Sequence, residues 1–117
     1  MHFEEHTVKD VSIVAVHGDI TLNKGSDAEL KEKVRSLISQ GRTKLVLDLS
    51  NVSYMDSAGL GELVQAWATT KKQGGTLKLL GLTKRIKDLL TITKLVTVFE
   101  SFQGEDAAVE SFYPVKQ

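Results

Sequence analysis

Apolar residues recur along this chain with the periods of both strand and helix, and each change of period marks a new element. Phe3 to Val8 and Val11 to His17 read as two strands joined by a tight turn at Lys9-Asp10. The second contains the β-rich run Val11-Ser12-Ile13-Val14-Ala15-Val16. Gly18-Asp19-Ile20-Thr21 breaks that pattern. Ser26-Asp27-Ala28-Glu29 then has the spacing of a capping box, and Leu30, Val34, Leu37 and Ile38 supply the apolar face of a first helix, which Gly41 ends.

Lys44 to Leu49 is a short strand whose hydrophobicity is broken only by Asp48, the mark of a central strand covered on both faces. It leads through Ser50-Asn51-Val52-Ser53-Tyr54-Met55 into a second helix. There Asp56 is a favoured N-cap residue, and Leu60, Leu63, Val64 and Trp67 fall at helical spacing as packing positions. Lys71-Lys72 suits the negative end of that helix, and Gly74-Gly75 stops it. Thr76 to Leu80 is the next strand, followed by a short helix capped by Thr83 with Ile86, Leu89 and Leu90 facing inward. Val96 to Phe99 reads as a last strand and Glu105 to Phe112 as a closing helix ended by Pro114. Strands joined by crossover helices require some parallel pairing, while the opening hairpin is antiparallel. The expected fold is a single α/β domain, a mixed sheet of four to five strands with about four helices.

Within this frame Ser57 lies at a helix mouth, beside backbone N–H groups with no partner in their own helix. Gly59 and Gly61 fall in the first turns, where each costs roughly 1 kcal/mol relative to Ala. Two readings are open. The glycines let the helix pack tightly on a neighbouring strand, or they leave bare backbone for another molecule that approaches Ser57. A phosphate added to Ser57 would meet backbone donors and the positive end of the helix dipole. Tyr54 and Met55 are either core residues or an apolar rim around Ser57.

Composition narrows the chemistry. The 117 residues are enough for one domain with its own core, and fifteen basic against fifteen acidic residues give a formal net charge of zero. No global field points to nucleic acid or to an anionic membrane. Cys is absent, so disulfides and thiolate chemistry are excluded. The N-terminus lacks a signal-peptide pattern and no apolar run approaches a membrane span, so a soluble, cytoplasmic protein with no membrane or direct nucleic-acid partner is expected. A serine hydrolase would need a base near Ser57, yet His2, His6 and His17 all lie near the N-terminus, and Met55 stands where a nucleophile elbow requires Gly. The histidines have no metal-ligand spacing, so no metal is expected, and no complete dinucleotide or Walker motif occurs, so no cofactor is. Lys84, Arg85 and Lys87 read as a solvated helix face.

The segment Asp56-Ser57-Ala58-Gly59-Leu60-Gly61 after a buried strand, with Leu80-Gly81-Leu82-Thr83, Leu89-Leu90-Thr91 and Phe99 downstream, resembles the STAS domain. Within that group the chain resembles the free-standing anti-sigma factor antagonists of bacterial partner switching. The resemblance covers residues 3–112 and leaves a C-terminal tail at 113–117. It implies a protein that is not an enzyme. Its unphosphorylated form would bind an anti-sigma factor that is also a serine kinase, freeing a sigma factor. That partner would bind the ATP and phosphorylate Ser57, switching binding off, and a PP2C-type phosphatase would reset it. Carried onto this sequence, the partner-binding set is Asp19, Thr21, Tyr54, Met55, Asp56, Ser57, Ala58, Gly59, Leu60 and Gly61. Ala58 stands where some members have a second hydroxyl, so the motif offers only Ser57. Thr21 replaces the acidic residue usual at the end of the Gly18-Asp19-Ile20-Thr21 stretch. Asp19, two residues earlier, either substitutes for it or is a turn residue. The alternative function is a non-phosphorylated STAS interaction or nucleotide-sensing module in a signalling or transporter-associated complex.

Overall fold

Apolar residues fall on both sides of the strand from Val11 to Val16, which is stable only if both faces of the sheet are covered. In the computed structural model they are: Val14 and Val16 join the larger core with Leu45, Leu47, Leu77 and Leu79, while Val11 and Ile13 join a smaller one with Val46 and Leu80. The structure describes residues 2–21 and 26–113, with the side chains of residues 26–28 excepted. The capping box at Ser26-Asp27-Ala28-Glu29 and the stop at Pro114 therefore lie outside the described residues.

Strands β1 (His2–Val8), β2 (Val11–Ile20), β3 (Lys44–Met55), β4 (Thr76–Leu80) and β5 (Ser101–Phe102) lie side by side in sequence order. The β1–β2 pair is antiparallel and the other three pairs are parallel. Helices α1 (Ser26–Ser39), α2 (Ser57–Lys72) and α3 (Lys84–Ile92) bury Leu30, Val34, Leu37, Leu60, Leu63, Ile86 and Leu90 in the larger core. The short α4 (Glu105–Glu110) covers the smaller core on the opposite face with Ala108 and Val109. This is the expected mixed α/β domain. Thr83 caps α3 as expected, its side chain accepting from the Ile86 amide.

Three expected boundaries differ, each for a physical reason. Strand β3 does not end at Leu49 but runs to Met55, and β2 continues through Gly18 to Ile20 beside it. Pairing passes from Ala15↔Asp48 to His17↔Asn51, and from Gly18↔Val52 to Ile20↔Met55, so β3 takes one extra residue at each step. Its inward residues Leu49, Val52 and Met55 are therefore spaced by three, a period belonging to neither regular strand nor helix. Gly18, at φ 107°, supplies a backbone angle that other residues rarely adopt there.

Val96 to Phe99 is not a strand. Leu95 and Val96 donate back to the Leu90 carbonyl, Lys94 is at φ 62°, and the chain is still turning out of α3 while Phe99 drops into the core. The last strand is Ser101–Phe102, paired with Leu79 and Leu80. The closing helix is two residues shorter than expected, with Phe112 and Tyr113 in the turns that follow it.

Lys78 holds this C-terminal segment to the sheet. Strand alternation places it on the α4 face, where it is 5% exposed. Its Nζ donates to the Ser111 carbonyl at 3.2 Å and the Ser111 hydroxyl at 3.0 Å, lies 3.4 Å from a Glu100 carboxylate oxygen, and sits 4.4 Å above the Phe112 ring. At the hairpin end, Asp10 accepts from the Tyr113 hydroxyl and pairs with Lys44. The Lys44 hydrogen bond holds the Asp10 carboxyl below its ordinary range, so this small contribution is present at neutral pH and fades as acid protonates the carboxylate.

Truncating a buried cation removes packing and leaves its polar partners unsatisfied, whereas an apolar chain of similar length restores the packing. Lys78→Ala is expected to lower unfolding free energy by about 2 kcal/mol and Lys78→Met by less than about 1 kcal/mol. Urea denaturation of the two variants checks both the order and the size of these losses.

Candidate functional site

Parallel strands end together, and in open sheets the crevice beyond their carboxyl ends is where sites form. Here β2 and β3 end side by side, with Ile20 paired to Met55 and the Asp56 amide donating to the Ile20 carbonyl at 3.4 Å. The chain then enters α2. Asp56 is its N-cap: a carboxylate oxygen accepts from the Gly59 amide at 2.7 Å, and the Asp56 carbonyl accepts from Leu60. Ser57 is the first helical residue and is exposed, as is Ala58. Their amides belong to the turn that has no carbonyl of its own helix to bond. The first turn of α2 contains no acidic side chain, and the N-cap carboxylate of Asp56 is engaged by the Gly59 amide.

The two glycines have different reasons to be there. A Cβ on Gly59 would overlap the Ile20 carbonyl oxygen, so Gly59 is the residue that lets α2 lie against the end of β2. A Cβ on Gly61 would meet no atom within 4 Å, and Gly61 is exposed. Its helix penalty has no compensation inside the domain.

The remaining sequence-predicted residues divide by access. Tyr54 is 43% exposed, and Asp19 and Asp56 are half-buried. Thr21, Met55 and Leu60 are buried, at 8%, 3% and 6% exposure, and Gly59 is buried with them. Met55 is thus a core residue and Tyr54 a surface one, which separates two readings that adjacency left joined. Asp19 is not a bare turn residue: it lies in β2, and its carboxylate accepts from the Ser53 hydroxyl at 2.9 Å. Ser53 had no signal in the sequence, because its link to Asp19 depends on the bulged β2–β3 register. All ten predicted positions converge on one end of the sheet; those that present surface are Ser57, Ala58, Gly61 and Tyr54, flanked by Asp19 and Asp56.

Trp67 is half-buried, edge-on to Phe99 at 6.0 Å with Lys71 over its ring, so it is a packing residue of α2. Among the described residues no three His, Asp or Glu side chains are grouped to hold a metal ion, and no helix is long and apolar enough to cross a membrane. His6 pairs with Glu105 and His17 with Glu4.

Comparison with known proteins decides the family. The STAS domain pattern matches residues 2–108. The Anti-sigma-B factor antagonist of Bacillus subtilis is 41% identical over 81 residues, which are 69% of this chain and 73% of that protein. The chain belongs to the STAS family of anti-sigma factor antagonists. Two solved structures share the fold. An anti-sigma factor antagonist from Mycobacterium paratuberculosis superposes with a TM-score of 0.80 at 21% identity, covering 94% of this chain and 92% of that one. The Bacillus cell fate determinant SpoIIAA, in its phosphorylated form, superposes at 0.70 with 17% identity, covering 96% and 100%. The anti-sigma factor antagonists that the chain matches are regulatory binding proteins rather than enzymes.

As a STAS antagonist, the chain should tolerate its two helix glycines unequally. Gly59→Ala forces backbone against backbone and is expected to cost about 1–3 kcal/mol. Gly61→Ala should raise stability by about 0.5–1 kcal/mol, and Asp56→Ala should lower it by about 1 kcal/mol through loss of the cap. Thermal and urea unfolding of the three variants measures each sign.

Proposed function

We propose that this protein is the switchable member of a partner-switching module. Its unphosphorylated form binds an anti-sigma factor that is also a serine kinase and so releases a sigma factor; phosphorylation of Ser57 ends the binding, and a PP2C-type phosphatase restores it. The observation that carries this reading is Gly61: an exposed glycine, one turn from an exposed Ser57, whose cost the fold itself does not recover. Bare backbone there suits a partner that comes close to the hydroxyl. A protein of the same fold has been seen in a phosphorylated form, which supports the modification as something this scaffold accommodates.

The physics of release needs no refolding. A phosphate adds about −1.5 to −2 charges at Ser57, next to Asp56. The first-turn amides and the dipole end stabilise it by roughly 0.3–1 kcal/mol, which keeps α2 intact. Against a docked partner the same charge costs several kcal/mol, and about 1.4 kcal/mol is already tenfold in affinity. Asp56 remains committed to the Gly59 amide, so the cap and the switch use different atoms. The partner supplies the ATP; this chain supplies the acceptor hydroxyl and the surface around it.

Intact-mass analysis of the protein from its own cells, with fragment sequencing across Met55 to Leu63, is expected to find a fractional gain of one phosphate on Ser57. Ser57→Glu should weaken binding to the cognate anti-sigma factor by about tenfold or more, and Gly61→Ala should weaken it while stabilising the fold. Protein that stays unmodified under all growth and stress conditions would overturn the phosphorylation step and leave a non-phosphorylated interaction module.

A further inference from the structure

The sequence offers Lys84, Arg85 and Lys87 as one solvated basic face, but the structure treats them differently. Lys84 pairs with Asp88 at 3.1 Å along the helix. Arg85 has no carboxylate partner within the described residues; its guanidinium lies over the ring of Tyr54, 5.5 Å from the centroid. Both side chains are exposed. Tyr54 is the next-to-last residue of β3, three positions before Ser57, so the stack brings the start of α3 onto the Ser57 end of the sheet.

Beside the stack, Ser50, Asn51, Val52, Ser53, Thr83 and Arg85 line an open notch of about 280 Å³. No acidic residue lines it. Ser53 is shared with the other side of the site, where its hydroxyl donates to Asp19. The surface next to Ser57 is therefore a polar strip with a negative group at one side and a positive one at the other. A guanidinium held over an aromatic ring gives up part of its conformational freedom while its N–H groups stay available to a partner. Those groups match a carboxylate in a two-point hydrogen bond, which a Lys ammonium cannot reproduce.

We propose that Arg85, held in place by Tyr54, is a specificity residue of the docking surface, receiving an Asp or Glu side chain of the anti-sigma factor in the notch between β3 and α3. The inference rests on the antagonist reading above and adds to it the chemistry that the partner must present. Opposite charges at the two sides of the strip also set the partner's orientation, because a rotated or mismatched partner would place like charges together.

The test is the affinity of the wild type and of Arg85 and Tyr54 variants for the purified cognate anti-sigma factor, measured calorimetrically and alongside thermal unfolding. Arg85→Glu is expected to weaken binding by about tenfold or more and Arg85→Lys by roughly threefold, since Lys keeps the charge and loses the fork. Tyr54→Ala should bind more weakly, because the ring that holds Arg85 is lost. An Asp→Arg or Glu→Arg change at the contacting position of the anti-sigma factor should restore binding to Arg85→Glu and not to the wild type, a rescue that a merely structural Arg85 would not give. Wild-type affinity in both Arg85→Glu and Arg85→Lys overturns the proposal while leaving the antagonist reading standing. A wild type that binds no anti-sigma factor of its own cells overturns that reading and this inference with it.

Discussion

The contact between Gly59 and the Ile20 carbonyl is the constraint on which the site depends. A helix can rest its first turn against the end of a strand only where no side chain intervenes, and Gly59 is where none does. With α2 seated there, the Asp56 amide reaches Ile20 and its carboxylate turns to the Gly59 amide, so one short segment is held from both sides. Ser57 is then exposed by geometry: it follows the cap, precedes the buried turn of Gly59 and Leu60, and cannot rotate inward without undoing both.

Rigidity at this point is what would make the proposed electrostatic switch workable. A charge added to a mobile loop can be swung away from a partner, but a charge added to the first residue of a capped helix stays at the interface. The helix end also offers unpaired amides to such a charge, so the proposed modified state would be stabilised by the same feature that displays the hydroxyl. The sheet contributes by ending β2 and β3 at one level, which sets Asp19, Ser53 and Tyr54 around the helix mouth, and α3 adds Arg85 from the side.

The opposite face of the sheet has a different task. Among the described residues it is covered by the six residues of α4 and the turn after them, which bring Ala108, Val109 and Phe112 to the smaller core. Polar anchors add to this packing: Lys78 on Ser111 and over Phe112, Tyr113 on Asp10, Lys9 on Glu110, and His6 on Glu105. Apart from the buried Lys78 these are surface contacts of modest worth, so the packing of Ala108 and Val109 on Val11, Ile13 and Val46 carries most of the closure.

What could be read in the sequence was whatever depends on neighbours along the chain. Helix periodicity in Leu30 to Ile38 and Leu60 to Trp67, the caps Asp56 and Thr83, and the alternation of Thr76 to Leu80 are local features, and each predicted its element. The family segment from Asp56 to Gly61 marked the candidate site for the same reason. What depends on pairing between distant segments was not legible. The two extra residues in β3 respace Leu49, Val52 and Met55 by three and disguise a strand as a loop; Val96 to Phe99 has strand composition but is still turning away from Leu90. Lys78 is buried by the segment of α4 and Ser111 that closes over it, which no local pattern specifies, and Gly59 and Gly61 read alike until Ile20 lies beneath one of them. Propensity and period are properties of a segment, but burial, register and the direction a surface faces belong to the assembled sheet, and only tertiary contact decides them.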